Sequence, residues 1–296
     1  MRVSDSQSTN IMLSGMSKSN SELSTLLQQM YTGERLTKIS DDPVASTKLL
    51  ALEQTKTEIT QYINNAENIK SGYQRYEVHT ESIENGLQSA NELLLWGLNG
   101  SMSEQDRSGI VIELESLKES MLATFNAKNS EGSYMFSGSA IDQAPYSVNA
   151  GVLTLNPDIN MNARNTVLAD GISMKSNLSI DDVDAASILT MLDTSIAELG
   201  SADPDMTALQ GAHDDLLASI NNVSSTQTYI GSQINHIERI VGTHSDTELF
   251  AQKLEGDLKD LSYDEASLKL NSYITALEAT QKTFAQISSL SLFNQL

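Results

Sequence analysis

Residues 52–97 read LEQTKTEITQYINNAENIKSGYQRYEVHTESIENGLQSANELLLWG, and this stretch decides the fold. Leu52, Ile59, Ala66, Tyr73, Thr80, Leu87 and Leu94 recur every seven residues without a slip. Tyr62, Ile69, Tyr76, Ile83 and Ala90 each follow three residues after one of them. Side chains spaced in this way share one stripe of an α-helix, so a pattern held for six heptads predicts a single long helix with a bundle or coiled-coil seam. No proline interrupts residues 44–144, and proline is the residue that most reliably breaks a helix. A helix from about Val44 to Leu98 would reach roughly 80 Å at 1.5 Å per residue, far beyond a compact domain. Rod-like assembly is therefore expected.

Outward from this helix, Trp96 and Gly97 close the pattern and Asn99-Gly100 signals a turn. Ser103 ahead of Glu104, Gln105 and Asp106 reads as an N-cap with an acidic first turn. A second helix then carries Ile110, Leu114, Leu117, Met121 and Phe125. From about 132 to 180 the character changes. Short β-branched or aromatic runs such as Val152-Leu153-Thr154-Leu155 and Thr166-Val167-Leu168-Ala169 alternate with Gly, Pro, Asn and Asp, which predicts hairpins in a small β-rich insertion. Helical spacing returns with Val183, Leu189, Leu192, Ile196 and Leu199, and stops at Gly200 ahead of Pro204. A longer run follows through Leu209, His213, Leu216, Ile220, Val223, Gln227, Ile230, Ile234, Ile237 and Val241. The last amphipathic stretch holds Tyr263, Ala266, Leu270, Tyr273, Leu277, Thr280, Phe284 and Ile287, matched at the other end by a weaker stripe of Met12, Met16, Leu23, Leu26 and Met30. The two termini are expected to lie side by side.

Composition narrows the function classes. The chain has 296 residues, enough for about two domains. It carries 18 basic and 39 acidic side chains, for a net charge of −21, which argues against nucleic acid and anionic lipid as partners. The charge is uneven: residues 1–70 are within one unit of neutrality, and beyond Ala266 only Lys269, Lys282 and Glu278 are charged. Segments that pack against copies of themselves do better near neutrality, so the ends are expected to assemble and the acidic middle to face water. Zero Cys excludes disulfides, thiol nucleophiles and thiolate metal sites. The start, Met1-Arg2-Val3-Ser4-Asp5, shows no secretory signal pattern, and no run approaches the ~18 apolar residues of a membrane span.

Catalytic chemistry finds little support. GxxxxGK[ST], GxGxxG after a strand, HExxH and GxSxG are all absent. His236 and His244 stand two turns apart, about 11 Å, too far for one metal ion at ~2 Å ligand distances; His79 and His213 are isolated. Of the acidic pairs Asp41-Asp42, Asp181-Asp182 and Asp214-Asp215, the first precedes Pro43. Asp42 as N-cap with proline at the first helical position accounts for that pair. No catalytic, cofactor or metal residue is expected.

The element Tyr31-Thr32-Gly33-Glu34-Arg35-Leu36-Thr37-Lys38-Ile39-Ser40-Asp41-Asp42-Pro43-Val44-Ala45-Ser46 resembles the flagellin superfamily. The proline after the paired Asp, the segment Glu131-Gly132-Ser133-Tyr134-Met135-Phe136-Ser137-Gly138-Ser139 and the ending Ala279-Thr280-Gln281-Lys282-Thr283-Phe284 through Leu290-Ser291-Leu292-Phe293 are similar to its hook–filament junction branch. The resemblance covers about residues 1–138 and 205–296; residues 140–200 match no pattern of the family. It implies a structural adaptor of the bacterial flagellum: a homo-oligomeric ring with a neighbouring hook-associated protein on the hook side and flagellin on the filament side. It further implies a cytoplasmic export chaperone at the C-terminal segment and an extracellular location reached without a cleaved signal peptide. Ser89 and Asn91 stand where receptor-recognised flagellins carry arginines, so that recognition is not carried over. A divergent flagellin that builds the filament itself, and a type III-secreted coiled-coil protein binding through its β insertion, remain open.

The expectation is thus a mainly α protein, a long-helix bundle with terminal coiled-coil helices and a small β-rich inserted domain. Residues 1–40 with 262–296 form the assembly segment, 41–138 with 201–261 the bundle, and 139–200 the insertion with a helical return. The assembly seam comprises Met12, Met16, Leu23, Leu26, Met30, Leu270, Tyr273, Leu277, Phe284 and Ile287. The cap and family motif comprise Gly33, Arg35, Asp41, Asp42 and Pro43.

Overall fold

The computed structural model describes residues 2–99, 102–149 and 152–293. Among these, helices α1 (Arg2–Thr32), α2 (Pro43–Gly97) and α3 (Glu104–Phe125) come first. Strands β1 (Tyr146–Asn149), β2 (Val152–Leu155), β3 (Asn165–Ala169) and β4 (Ile172–Lys175) follow, then a short 3-10 turn (Asp181–Val183) and helices α4 (Ala185–Gly200), α5 (Met206–Lys259) and α6 (Tyr263–Phe293). The mainly α class with a small strand-containing region is as the heptads and hairpin signals require. Gly100 and Ser101 of the expected turn lie outside the described residues.

Local chemistry sets the helix ends. Pro43 opens α2, where its missing N–H costs nothing, and Asp42 Oδ1 accepts the Ala45 N–H at 3.0 Å. Ser103 caps α3 by accepting from the Asp106 N–H. The strands form two separate antiparallel hairpins, β1 with β2 and β3 with β4. The second turns at Asp170-Gly171 and has an irregular register between Val167 and Ala169.

Packing divides the chain into two units, 1–58 with 246–296 and 59–245. This differs from the expected three parts. The packing divides within α2 and α5, at 58/59 and 245/246, and not at the expected boundaries of 40 and 262, which fall in the connections between helices. Nor do residues 139–200 stand apart. In the second unit every heptad position of α2 from Ala66 to Leu94 is buried, and Leu209, Leu216, Val223, Ile230 and Ile237 of α5 repeat the seven-residue spacing, all fully buried. Leu114 and Phe125 of α3, Ile188 and Leu192 of α4, Leu168 of β3 and the loop residues Phe136, Leu178 and Ile180 join the same core. Each such side chain contributes about 1.5–3 kcal/mol by leaving water. The strand region therefore shares the helical core and has none of its own.

The β3–β4 hairpin and the loop at Met135 are held to the helices through main-chain carbonyls. Asn65 Nδ2 donates to Val167 O at 2.9 Å, Tyr73 Oη to Lys175 O at 2.8 Å and Tyr76 Oη to Met135 O at 2.7 Å. His244 Nε2 lies 2.6 Å from Leu168 O while its ring stacks on Tyr62. Thr226 Oγ1 donates to Asp182 O, and Ser219 and Asn222 both donate to the Asp184 carboxylate.

Candidate assembly site

The site is built where the terminal helices meet the turn of the family motif, all within the first unit. Thr32 ends α1, and Gly33 follows with φ +76°, a left-handed conformation that favours glycine; its N–H donates to Gln29 O at 2.8 Å. The released chain runs alongside the α5–α6 corner. Arg35 N–H donates to Lys259 O at 2.7 Å, and Leu261 N–H donates to Gly33 O at 2.9 Å. The Arg35 guanidinium donates to Leu258 O at 2.9 Å and reaches Asp42 at 3.5 Å. Lys259 pairs with Glu34 at 2.9 Å and Lys56 with Glu255 at 2.7 Å. Tyr263 Oη donates to Met30 O at 2.9 Å, closing the α6 start onto the α1 end.

The two aspartates divide the work. Asp41 Oδ2 accepts from the Lys38 N–H at 2.9 Å and from the Thr37 N–H and hydroxyl at 3.1 Å, and these donors, the Lys38 N–H first, hold its carboxyl below the usual 3.8. Asp42 is held low by the Ala45 N–H and then by Arg35. Asp42 therefore starts α2, Asp41 folds the turn before it, and Arg35 links that turn to the α5 C-terminus.

Helices α1 and α6 pack on each other. Leu26 is buried; Met12, Met16, Leu23, Met30, Leu270, Tyr273, Leu277 and Phe284 are half-buried. The side chain of Ile287 lies outside the described residues. Ala266, buried at the start of α6, belongs to this set and sits one turn before Leu270. Sequence reasoning missed two things here. The backbone anchor of Arg35 at Leu258 is 223 residues away in sequence, and the exposed pair Leu249 and Phe250 lies off any heptad line.

Elsewhere, His213 bonds Asn91 at 2.9 Å, His79 packs edge-on to Phe136 with its pKa lowered by burial, and His236 lies beside Arg239. Asp182 holds Lys175 and caps Ser179. Among the described residues no cluster of His, Asp and Glu could hold a metal ion, and no helix is long and apolar enough to cross a membrane.

Long heptad helices, paired terminal helices and a motif turn that locks them at one corner define a structural protein of the filament type. The family model for the bacterial flagellin N-terminal helical region matches residues 3–140. The chain is 28% identical over 303 residues to flagellar hook-associated protein 3 of Escherichia coli, covering 94% of each chain. It is 26% identical to flagellar hook-associated protein 3 of Salmonella typhimurium, covering 99% of each. The solved structure of a flagellar hook-associated protein from Vibrio parahaemolyticus superposes with a TM-score of 0.69 at 34% identity, over 74% of this chain and all of that one. The chain belongs to the flagellar hook-associated proteins.

Proposed function

We propose that this chain is the structural adaptor between flagellar hook and filament, and that it acts by packing its terminal unit against neighbouring copies in a ring, without catalysis. One observation carries the reading. Among the described residues of the terminal unit only Leu26, Ala45, Ala251 and Ala266 are buried apolar residues. The same unit leaves Tyr31 92%, Ile39 78%, Leu268 73% and Phe250 67% exposed, with Ile11, Leu27, Val44, Leu50 and Leu249 exposed beside them. Three alanines and one leucine are too little core for over a hundred residues. The missing apolar burial has to come from other chains, and the second unit, with its continuous core, has no such need.

On this reading a second hook-associated protein covers the ring on the hook side and flagellin on the filament side. Before export, without cleavage of a signal peptide, a cytoplasmic chaperone covers the C-terminal helix. Electron microscopy of cells lacking the protein tests the adaptor: hooks should persist while flagellin is lost to the medium. Long filaments grown from the purified protein alone would instead identify a filament subunit. For the chaperone, a truncation lacking residues 255–296 should no longer be bound.

A further inference from the structure

The second unit contains a cavity of about 340 Å3 bordered by α2, the loop at 129–141 and the β3–β4 hairpin. Arg75 and Arg164 both line it. Elsewhere in the described residues arginine side chains are engaged: Arg35 with Asp42 and Leu258 O, Arg107 with main-chain carbonyls, Arg239 with His236. Neither Arg75 nor Arg164 appears in an ion pair or side-chain hydrogen bond among those residues. In a chain of net charge −21, two uncompensated guanidiniums at one concavity are unusual, because nearby carboxylates would ordinarily recruit them. Both line the wall together with Tyr76; burial pushes that phenol up, the Leu178 N–H and then the Arg164 and Arg75 guanidiniums pull it back down, and the Asp182 carboxylate pushes it up. That hydroxyl is already committed to Met135 O.

The rest of the lining suits a hydrated ligand. Asn68, Ser133 and Thr166 contribute neutral polar side chains, and at Gly72 nothing stands within 4 Å of where a Cβ would project. Glu131 is the one acidic residue on the wall. The volume falls at the small end of ligand sites, which run from about 300 to 1,000 Å3. Paired guanidiniums recognise a planar carboxylate through parallel N–H donors, while amides and hydroxyls replace the water around hydroxyl groups. We propose that this pocket binds a hydroxylated organic carboxylate of the size of one sugar-acid ring, with its carboxylate between Arg75 and Arg164.

The test is titration of the full-length protein with sodium glucuronate at constant ionic strength, followed by amide NMR shifts and calorimetry, with glucose and sodium sulfate as controls. Saturable shifts at Gly72, Ser133, Thr166 and Ser176 are expected, with glucuronate preferred over both controls. The double variant Arg75→Gln/Arg164→Gln should weaken binding at least about tenfold and leave the helical circular dichroism unchanged, since both side chains are exposed. Gly72→Met, which fills the open floor from a helix-compatible position, should abolish binding, and Glu131→Gln should tighten it. Absence of saturation, sulfate binding as well as glucuronate, unchanged affinity in the arginine or Gly72 variants, or weaker binding in Glu131→Gln would each overturn the proposal.

Discussion

At Asp41 and Asp42 one charged group per residue organises a turn. Both carboxyls are held below the ordinary value of 3.8 by backbone N–H donors. Their contribution is complete above that value and is lost as pH falls through the lower folded values. On acidification from pH 5 to 2, the Thr37, Lys38 and Ala45 amides should lose their hydrogen-bonded shifts and exchange protection together, ahead of the α2 interior. Asp41→Asn should speed exchange at the Thr37 and Lys38 amides throughout this range and remove its dependence on pH there; unchanged amide protection in that variant would remove Asp41 from the turn. Gly138 makes a contrasting case governed by sterics. With φ +69° and a would-be Cβ 2.1 Å from Asn160 O, it tolerates no side chain. Gly138→Ala is expected to destabilise the second unit by more than about 1 kcal/mol in urea unfolding.

At the scale of elements, the heptads of α2 and the caps at Asp42 and Ser103 were legible because their signals are local: a period of seven, or a side chain three residues from the N–H that it accepts. The pairing of α1 with α6 was legible from two matching stripes. The attachment of the hairpins was not. Tyr73 and Tyr76 read as plain seam positions, yet their hydroxyls hold carbonyls 102 and 59 residues away, and no periodicity encodes such long-range partners. Two variants separate the elements. Leu192→Ala, at a fully buried position of α4, should cost about 2–5 kcal/mol and lower the unfolding midpoint of the whole second unit; a midpoint unchanged there would mean that α4 folds apart from it. Phe284→Asp, at a half-buried position of α6, should leave that midpoint near normal and abolish filament growth. Normal swimming of the mutant cells would move the assembly seam elsewhere.

For the molecule as a whole, the contrast lies between a unit with a continuous core and one with almost none. A chain lacking residues 1–32 and 263–296 should remain folded and associate less in ultracentrifugation than the full chain, which should self-associate with rising concentration. Equal association by both would place the sticky surface outside the terminal helices. The shared core also predicts that residues 140–200 are not dispensable: deleting them removes Leu168, Leu178, Ile180, Ile188 and Leu192 from the interior, so the bundle should unfold along with the hairpins.

The grip on the hairpins has one more consequence. Asn65, Tyr73, Tyr76 and His244 hold carbonyl oxygens, and every amino acid supplies a carbonyl. The outward positions Val167 and Ile172 of the second hairpin are thus released from any duty to the attachment. Their identities are free to drift from one lineage to the next, so this face can change its appearance to antibodies or phages while the machinery beneath it stays the same.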